Sequence, residues 1–181
     1  MEKNNLLDEV EFYAKKTSAY IEVSKNKESV HVRPMKKEDY EQVYDLWLQI
    51  QGFGIRTIDD SKEGVYKFLE RNPGISTVAV VDNGSQEKIV GAILCGHDGR
   101  RGCMYHVCVN KKYRKKGIGK AMTIACMRAL QKEKINVVSL IAYKNNEVGN
   151  QFWHGENWNE RQEMNYYDFI LNDENITNFN E

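Results

Sequence analysis

The sequence predicts one α/β (α+β) domain, a mixed and mostly antiparallel sheet flanked by helices. Three observations carry this. At 181 residues, 41% hydrophobic and 10% aromatic, the chain is long and apolar enough for a core. Apolar residues recur at helical spacing early in the chain, then give way to β-branched runs between Ser76 and Val109. A long helical stretch and a short apolar run follow, and a sheet covered by helices is the simplest way to bury all these faces.

Residues 1–30 read as a helical or partly ordered extension, in which Leu6, Leu7, Val10, Phe12 and Tyr13 line a short helix. The main domain is expected over residues 31–171. It opens with the strand His31-Val32-Arg33-Pro34, closed by proline. Tyr40, Val43, Leu46, Trp47 and Ile50 mark one face of a first helix. Ser61 is placed to cap a second helix carrying Val65, Phe68 and Leu69, which Asn72-Pro73-Gly74 stops. Ser76–Val81, Ile89–Cys95 and Cys103–Val109 read as a meander of strands, with turns at Asp82–Ser85 and Gly96–Gly102. Gly117–Gln131 is the strongest helix pattern. Val137–Ala142 reads as a central strand, Glu147–Trp153 as a short helix, Met164–Leu171 as a final strand and 172–181 as a polar tail.

Lys and Arg total 26, as do Asp and Glu, so no broad basic surface exists for nucleic acid or anionic membrane. No apolar run approaches the ~20 residues of a membrane span. Met1-Glu2-Lys3-Asn4-Asn5 does not read as a secretory signal. Cys95, Cys103, Cys108 and Cys126 lack CxxC spacing and sit in apolar stretches. A cytoplasmic protein with reduced thiols and no metal site is the expectation.

The chemically informative stretch runs from Val107 to Lys120: a strand, a basic loop, then two glycines opening a helix. Gly117 and Gly119 let an anion approach the backbone, and the first helical N–H groups have no partner inside the helix. A phosphate or diphosphate suits such a cradle. The P-loop pattern needs Gly where Arg114 stands, and Ala121 replaces its Ser or Thr. A dinucleotide fingerprint needs glycine at Met122. A solvated lysine-rich turn capping an ordinary helix is the competing reading.

Arg114-Lys115-Lys116-Gly117-Ile118-Gly119 matches the Arg/Gln-x-x-Gly-x-Gly/Ala signature of the GCN5-related N-acetyltransferases (GNAT). Asn146-Glu147-Val148-Gly149-Asn150-Gln151-Phe152-Trp153 resembles that family's Asn-x-x-Ala-x-x-Phe-Tyr helix, in the right order, and the resemblance spans residues 31 to 171. It is similar to bacterial single-domain members. The resemblance implies acetyl-CoA as cosubstrate, held where the strands Val107–Val109 and Val137–Ala142 splay apart. Backbone at Val107, Cys108 and Val109 would line the pantetheine arm. Arg114, Lys115, Lys116, Gly117, Ile118, Gly119 and Lys120 would hold the diphosphate, with Asn146 and Trp153 as further cofactor contacts. The implied reaction is acetyl transfer to a primary amine of a small molecule, peptide or protein, by direct attack in a ternary complex.

The family's acid, a Tyr, corresponds to Trp153, and its carboxylate base positions correspond to Cys103 and Ile141; none of these can serve. His106 and Tyr143 are the substitute candidates, although a lone His without visible partners reads more readily as a satisfied sheet histidine. Simple alternation puts Tyr105 and His106 on opposite faces. Asp59, Asp60 and Glu63 are readable either as a wall attracting a cationic amine or as an exposed acidic helix start. The missing Tyr keeps a second reading open, a catalytically weak CoA-binding or regulatory module. Expected partners are an amine-bearing acceptor and, left open, a second copy of the chain in a homodimer.

Overall fold

The structure, a computed structural model, describes residues 20–23, 28–82 and 87–180. The helix expected around Leu6–Tyr13 lies outside the described residues. Among these residues the main sheet has six strands: β1 (Tyr20–Val23), β2 (Glu28–Pro34), β4 (Thr77–Asp82), β5 (Glu87–His97), β6 (Gly102–Val109) and β7 (Val138–Leu140), in the order β1-β2-β4-β5-β6-β7. All neighbours are antiparallel except β6 and β7. A small second sheet pairs β3 (Gly54–Arg56) with β8 (Thr177–Phe179).

Helices α1 (Tyr40–Leu48) and α2 (Lys62–Arg71) cover one face of the main sheet. Tyr40, Val43, Leu46 and Trp47 are the buried stripe of α1, as their spacing requires. The Ser61 hydroxyl accepts from Gly64 N at 3.1 Å and starts α2. Helix α3 (Ile118–Lys132) covers the other face, burying Ile118, Met122, Cys126 and Leu130 against Ala79, Val90, Ile93 and Met104. Helix α4 (Glu147–Gly155) follows β7. Arg33 ties β2 to the turn before α1 through a two-pronged bond to Asp39, at 2.7 and 2.8 Å.

Four expectations are corrected. The apolar Val137–Ala142 run yields β7 over Val138–Leu140, an edge strand rather than a central one, paired with β6 at three residues only. Met164–Leu171 forms no strand; its apolar side chains from Met164 to Leu171 are 60–93% exposed. The 172–181 stretch is not a simple polar tail, because it supplies β8, and its asparagines tie it down. Asn180 Nδ2 donates to the carbonyls of Trp47 and Ile50, closing the C-terminal end of α1, and Asn175 Oδ1 accepts from Ile58 N and Asp59 N. The sheet also begins before His31, since β1 pairs with β2 from Tyr20↔His31 to Val23↔Glu28.

Candidate active site

The site is organised by an irregularity in β6. Register with β5 shifts between Ala92↔Cys108 and Leu94↔Tyr105, leaving His106 and Val107 opposite Ile93 alone. His106 takes the left-handed φ of 48° that this bulge requires. The bulge breaks alternation. Tyr105 meets Phe68 of α2 and His106 meets Trp47 of α1, so both lie on the α1/α2 face, contrary to the simple pattern. Past the bulge, Asn110 N donates to Val90 O at 2.8 Å. By antiparallel alternation this turns the N–H and C=O of Val109 away from β5. Strand β7 pairs only with Gly102–Met104, so Tyr105–Val109 face an open gap on that side. Val107 and Val109 are half-buried at this gap, against the α3-side core. Cys108 differs: its side chain is buried in the α1/α2-side core, and burial pushes its thiol up to about 12.

The loop after β6 is shaped by its own polar groups. Asn110 Oδ1 accepts from Lys112 N at 3.1 Å, and Arg114 Nε donates to Val109 O at 2.9 Å. Lys115 and Gly117 adopt left-handed φ of 58° and 78°, turning the chain into α3. The first helical bond is Ala121 N to Gly117 O. The N–H groups of Ile118, Gly119 and Lys120 therefore precede any intrahelical acceptor and form the positive end of α3. Lys111, Lys112, Lys115 and Lys116 are exposed, and Lys120 Nζ lies 3.4 Å from Glu156. The two glycines have different reasons. A Cβ on Gly117 would meet nothing within 4 Å, so its requirement is conformational. A Cβ on Gly119 would stand 3.3 Å from the Phe152 ring, so its absence lets α3 and α4 approach, a packing reason rather than room for an anion.

His106 has a partner that no local pattern indicated. Its Nε2 lies 2.7 Å from Asp60 Oδ1, while Asp60 Oδ2 accepts from Arg56 N at 2.7 Å. The Tyr40 hydroxyl donates to the Asp60 carbonyl at 3.0 Å, and burial pushes that hydroxyl up to about 12. Asp60 is 5% exposed, so it belongs neither to an exposed helix start nor to an open acidic wall; Asp59 and Glu63 stay outside. The imidazole lies against Trp47 at 4.6 Å and Phe53 at 5.4 Å between ring centroids.

Tyr143 is exposed beyond β7, with its ring 5.6 Å from Phe179 of β8. Phe179 packs over Gly54, next in chain to the Phe53 whose ring meets His106. Asn146 caps α4, its Oδ1 accepting from Gly149 N at 3.0 Å. Trp153 is 9% exposed and packs on Phe152 and Trp158, away from solvent. A cavity of about 440 Å³ lies between the end of α1 and the loop, lined by Gln49, Ile50, Asn110, Lys111 and Lys112. Among the described residues no three His, Cys, Asp or Glu side chains cluster as a metal site, and no helix is long and apolar enough to cross a membrane.

Comparison with known proteins bears on the family and the fold. Residues 40–155 match the family model described as the acetyltransferase (GNAT) family. Acetyltransferase SG1711 of Sodalis glossinidius is 30% identical over 93 residues, 51% of this chain and 61% of that protein. The chain thus matches less than two thirds of that relative's length. Among solved structures, Ard1 from Thermoplasma volcanium superposes with a TM-score of 0.59 at 16% identity, over 71% of this chain and 81% of that one. The aminoglycoside N-acetyltransferase AAC(6')-Iy in complex with CoA gives 0.60 at 14% identity, over 81% and 98%. At those identities the structural likeness concerns the fold.

Proposed function

The chain belongs to the acetyltransferase (GNAT) family, and from that premise we propose that it moves the acetyl group of acetyl-CoA to a primary amine in a ternary complex. The observation that carries the reading is the run from the β6 gap through the left-handed Lys115 and Gly117 to the N-terminal end of α3. Those N–H groups suit the diphosphate of CoA. The outward-turned backbone of Val109, with Val107 beside it at the same gap, suits the amide groups of the pantetheine arm. The Val109 N–H turns away from β5, while its carbonyl accepts from Arg114 Nε.

In this reading His106 is the general base. The ammonium of the acceptor gives a proton to the imidazole, directly or through water, and the free amine attacks the thioester carbonyl. The C–N bond forms, the C–S bond breaks, and the CoA thiolate leaves. Tyr143 is the candidate donor to that thiolate, since Trp153 is buried and its indole N–H is no acid. Holding amine and thioester together supplies a large share of the rate. A cytoplasmic setting, in which four free cysteines stay reduced, belongs to the same proposal.

Trp153 in place of the family's Tyr favours one second reading, a CoA-binding module with weak turnover. The test is thiol release from acetyl-CoA across a panel of small amines, peptides and proteins. Release that depends on an amine supports the enzyme; tight CoA binding with no release from any amine supports the module.

A further inference from the structure

We propose that Asp60 is a positioning residue that fixes the tautomer of His106, keeping the proton on Nε2 and the lone pair on Nδ1. The proposal rests on the reading of His106 as the base. Among the described residues the carboxylate is the only acceptor that reaches that ring, at 2.7 Å from Nε2, and it is itself held in place. Its second oxygen accepts from Arg56 N, and Tyr40 holds the carbonyl of the same residue. A carboxylate accepts and cannot donate when ionised, so Nε2 must carry hydrogen. The remaining nitrogen, Nδ1, is then the acceptor. It has no hydrogen-bond partner among the described residues, on a side chain that keeps 18% of its surface exposed. Trp47 and Phe53 hold the ring faces, leaving little freedom to turn.

The function of such an arrangement follows from charge. When Nδ1 takes the proton of the acceptor ammonium, the ring becomes an imidazolium whose Nε2–H still points at the carboxylate. The new positive charge forms beside a negative one in a largely buried place, and the proton then returns to solvent from Nδ1. The groups facing the ring are few. Asp60 comes from the segment before α2, Trp47 from α1 and Phe53 from the segment before β3. Tyr40 reaches only the Asp60 carbonyl, and Tyr44 packs on the far partner Trp47. Arg56 and Asp59 lie 3.9 Å apart and are exposed. On β6 itself, Tyr105 turns to Phe68, and burial raises its hydroxyl pKa. Asp60 is thus the charge in contact with the ring.

The discriminating substitution is Asp60→Asn. The amide oxygen can still accept from Arg56 N, so the local fold keeps its anchor, but the amide nitrogen now donates toward Nε2. The neutral ring must then carry its proton on Nδ1, where the base function was. Nitrogen-15 NMR of the histidines in the full-length protein reads this without reference to activity. The wild type is expected to show His106 as the Nε2–H tautomer, and D60N as the Nδ1–H tautomer. Turnover of D60N should fall about 10²-fold, within the usual range for a general base, with KM for acetyl-CoA within three-fold of wild type. A wild-type spectrum with neutral His106 protonated on Nδ1 overturns the proposal, and needs no variant to fold. D60N with wild-type tautomer and turnover overturns it as well. His106→Ala separates the two levels. If H106A keeps full turnover, the base reading itself fails. If H106A loses turnover while D60N does not, only the role of Asp60 fails.

Discussion

Replacing Gly117 with alanine isolates the conformational requirement of the loop. Gly117 stands at φ 78°, immediately before α3, and a Cβ there meets no atom within 4 Å. The substitution creates no clash, so its whole cost is that of placing an L-residue in the left-handed region, about 1–2 kcal/mol. If the loop stays as it is, that cost appears as stability. For a chain of 181 residues it lowers Tm by about 2–4 °C per kcal/mol. If the free loop relaxes instead, the N–H groups of Ile118–Lys120 turn away. The same energy is then lost from acetyl-CoA affinity, a factor of about 5–30. Thermal unfolding with and without acetyl-CoA reads both routes at once. Gly117→Asn should recover much of the loss, because asparagine tolerates this conformation better than alanine. Gly119→Ala should behave differently. It gains about 1 kcal/mol of helix propensity but pushes on the Phe152 ring, so its net effect on stability is small and it leaves the loop conformation alone. A Gly117→Ala protein with wild-type Tm and wild-type acetyl-CoA affinity would refute the reasoning.

Other expectations concern packing, charge and the far edge of the sheet. Burial pushes the Asp39 carboxyl up, but the Arg33 guanidinium and the Lys36 N–H more than offset it and hold it below the ordinary carboxylate range. Its contribution is therefore full above about pH 4 and is lost as pH falls through the lower folded value; Asp39→Asn should lower stability at pH 7 and flatten the acid limb of a denaturation series. Arg33→Ala, which strands that carboxylate, should cost about 3 kcal/mol in urea unfolding. Trp153→Phe should cost about 1–2 kcal/mol of packing while the pH–rate profile keeps all its limbs. Deleting residues 1–27 removes β1 and bares β2, which should lower Tm yet keep acetyl-CoA affinity within a few-fold, since β1 lies at the opposite edge of the sheet from β6 and β7.

What the sequence revealed was what local physics determines. The stripe Tyr40, Val43, Leu46 and Trp47, the Ser61 cap and the Asn72-Pro73 stop are each written within one turn of helix. The same holds for the loop from Asn110 to Gly119, whose turn residues and helix start are contiguous in the chain. Long-range partners were not legible. An apolar run such as Val137–Ala142 fits a central or an edge strand equally, and its three-residue pairing with β6 depends on where β6 bends. Met164–Leu171 has strand-like residues, yet the pairing with β3 goes to Thr177–Phe179. Asp60 and His106 are 46 residues apart, and their contact depends on a bulge that hydrophobic patterning does not encode. That bulge also defeats the alternation argument for Tyr105. The reason for Gly119 lies in Phe152, a residue on another helix.

The most direct test of the central claim is the pH dependence of amine-dependent thiol release from acetyl-CoA, measured for wild type and His106→Ala side by side. The account predicts release that requires an amine and has a pH limb set by the general base. In His106→Ala that limb should be gone and the rate reduced, with acetyl-CoA affinity retained. Acetyl-CoA binding without amine-dependent release in the wild type, or an unchanged limb in His106→Ala, would contradict it.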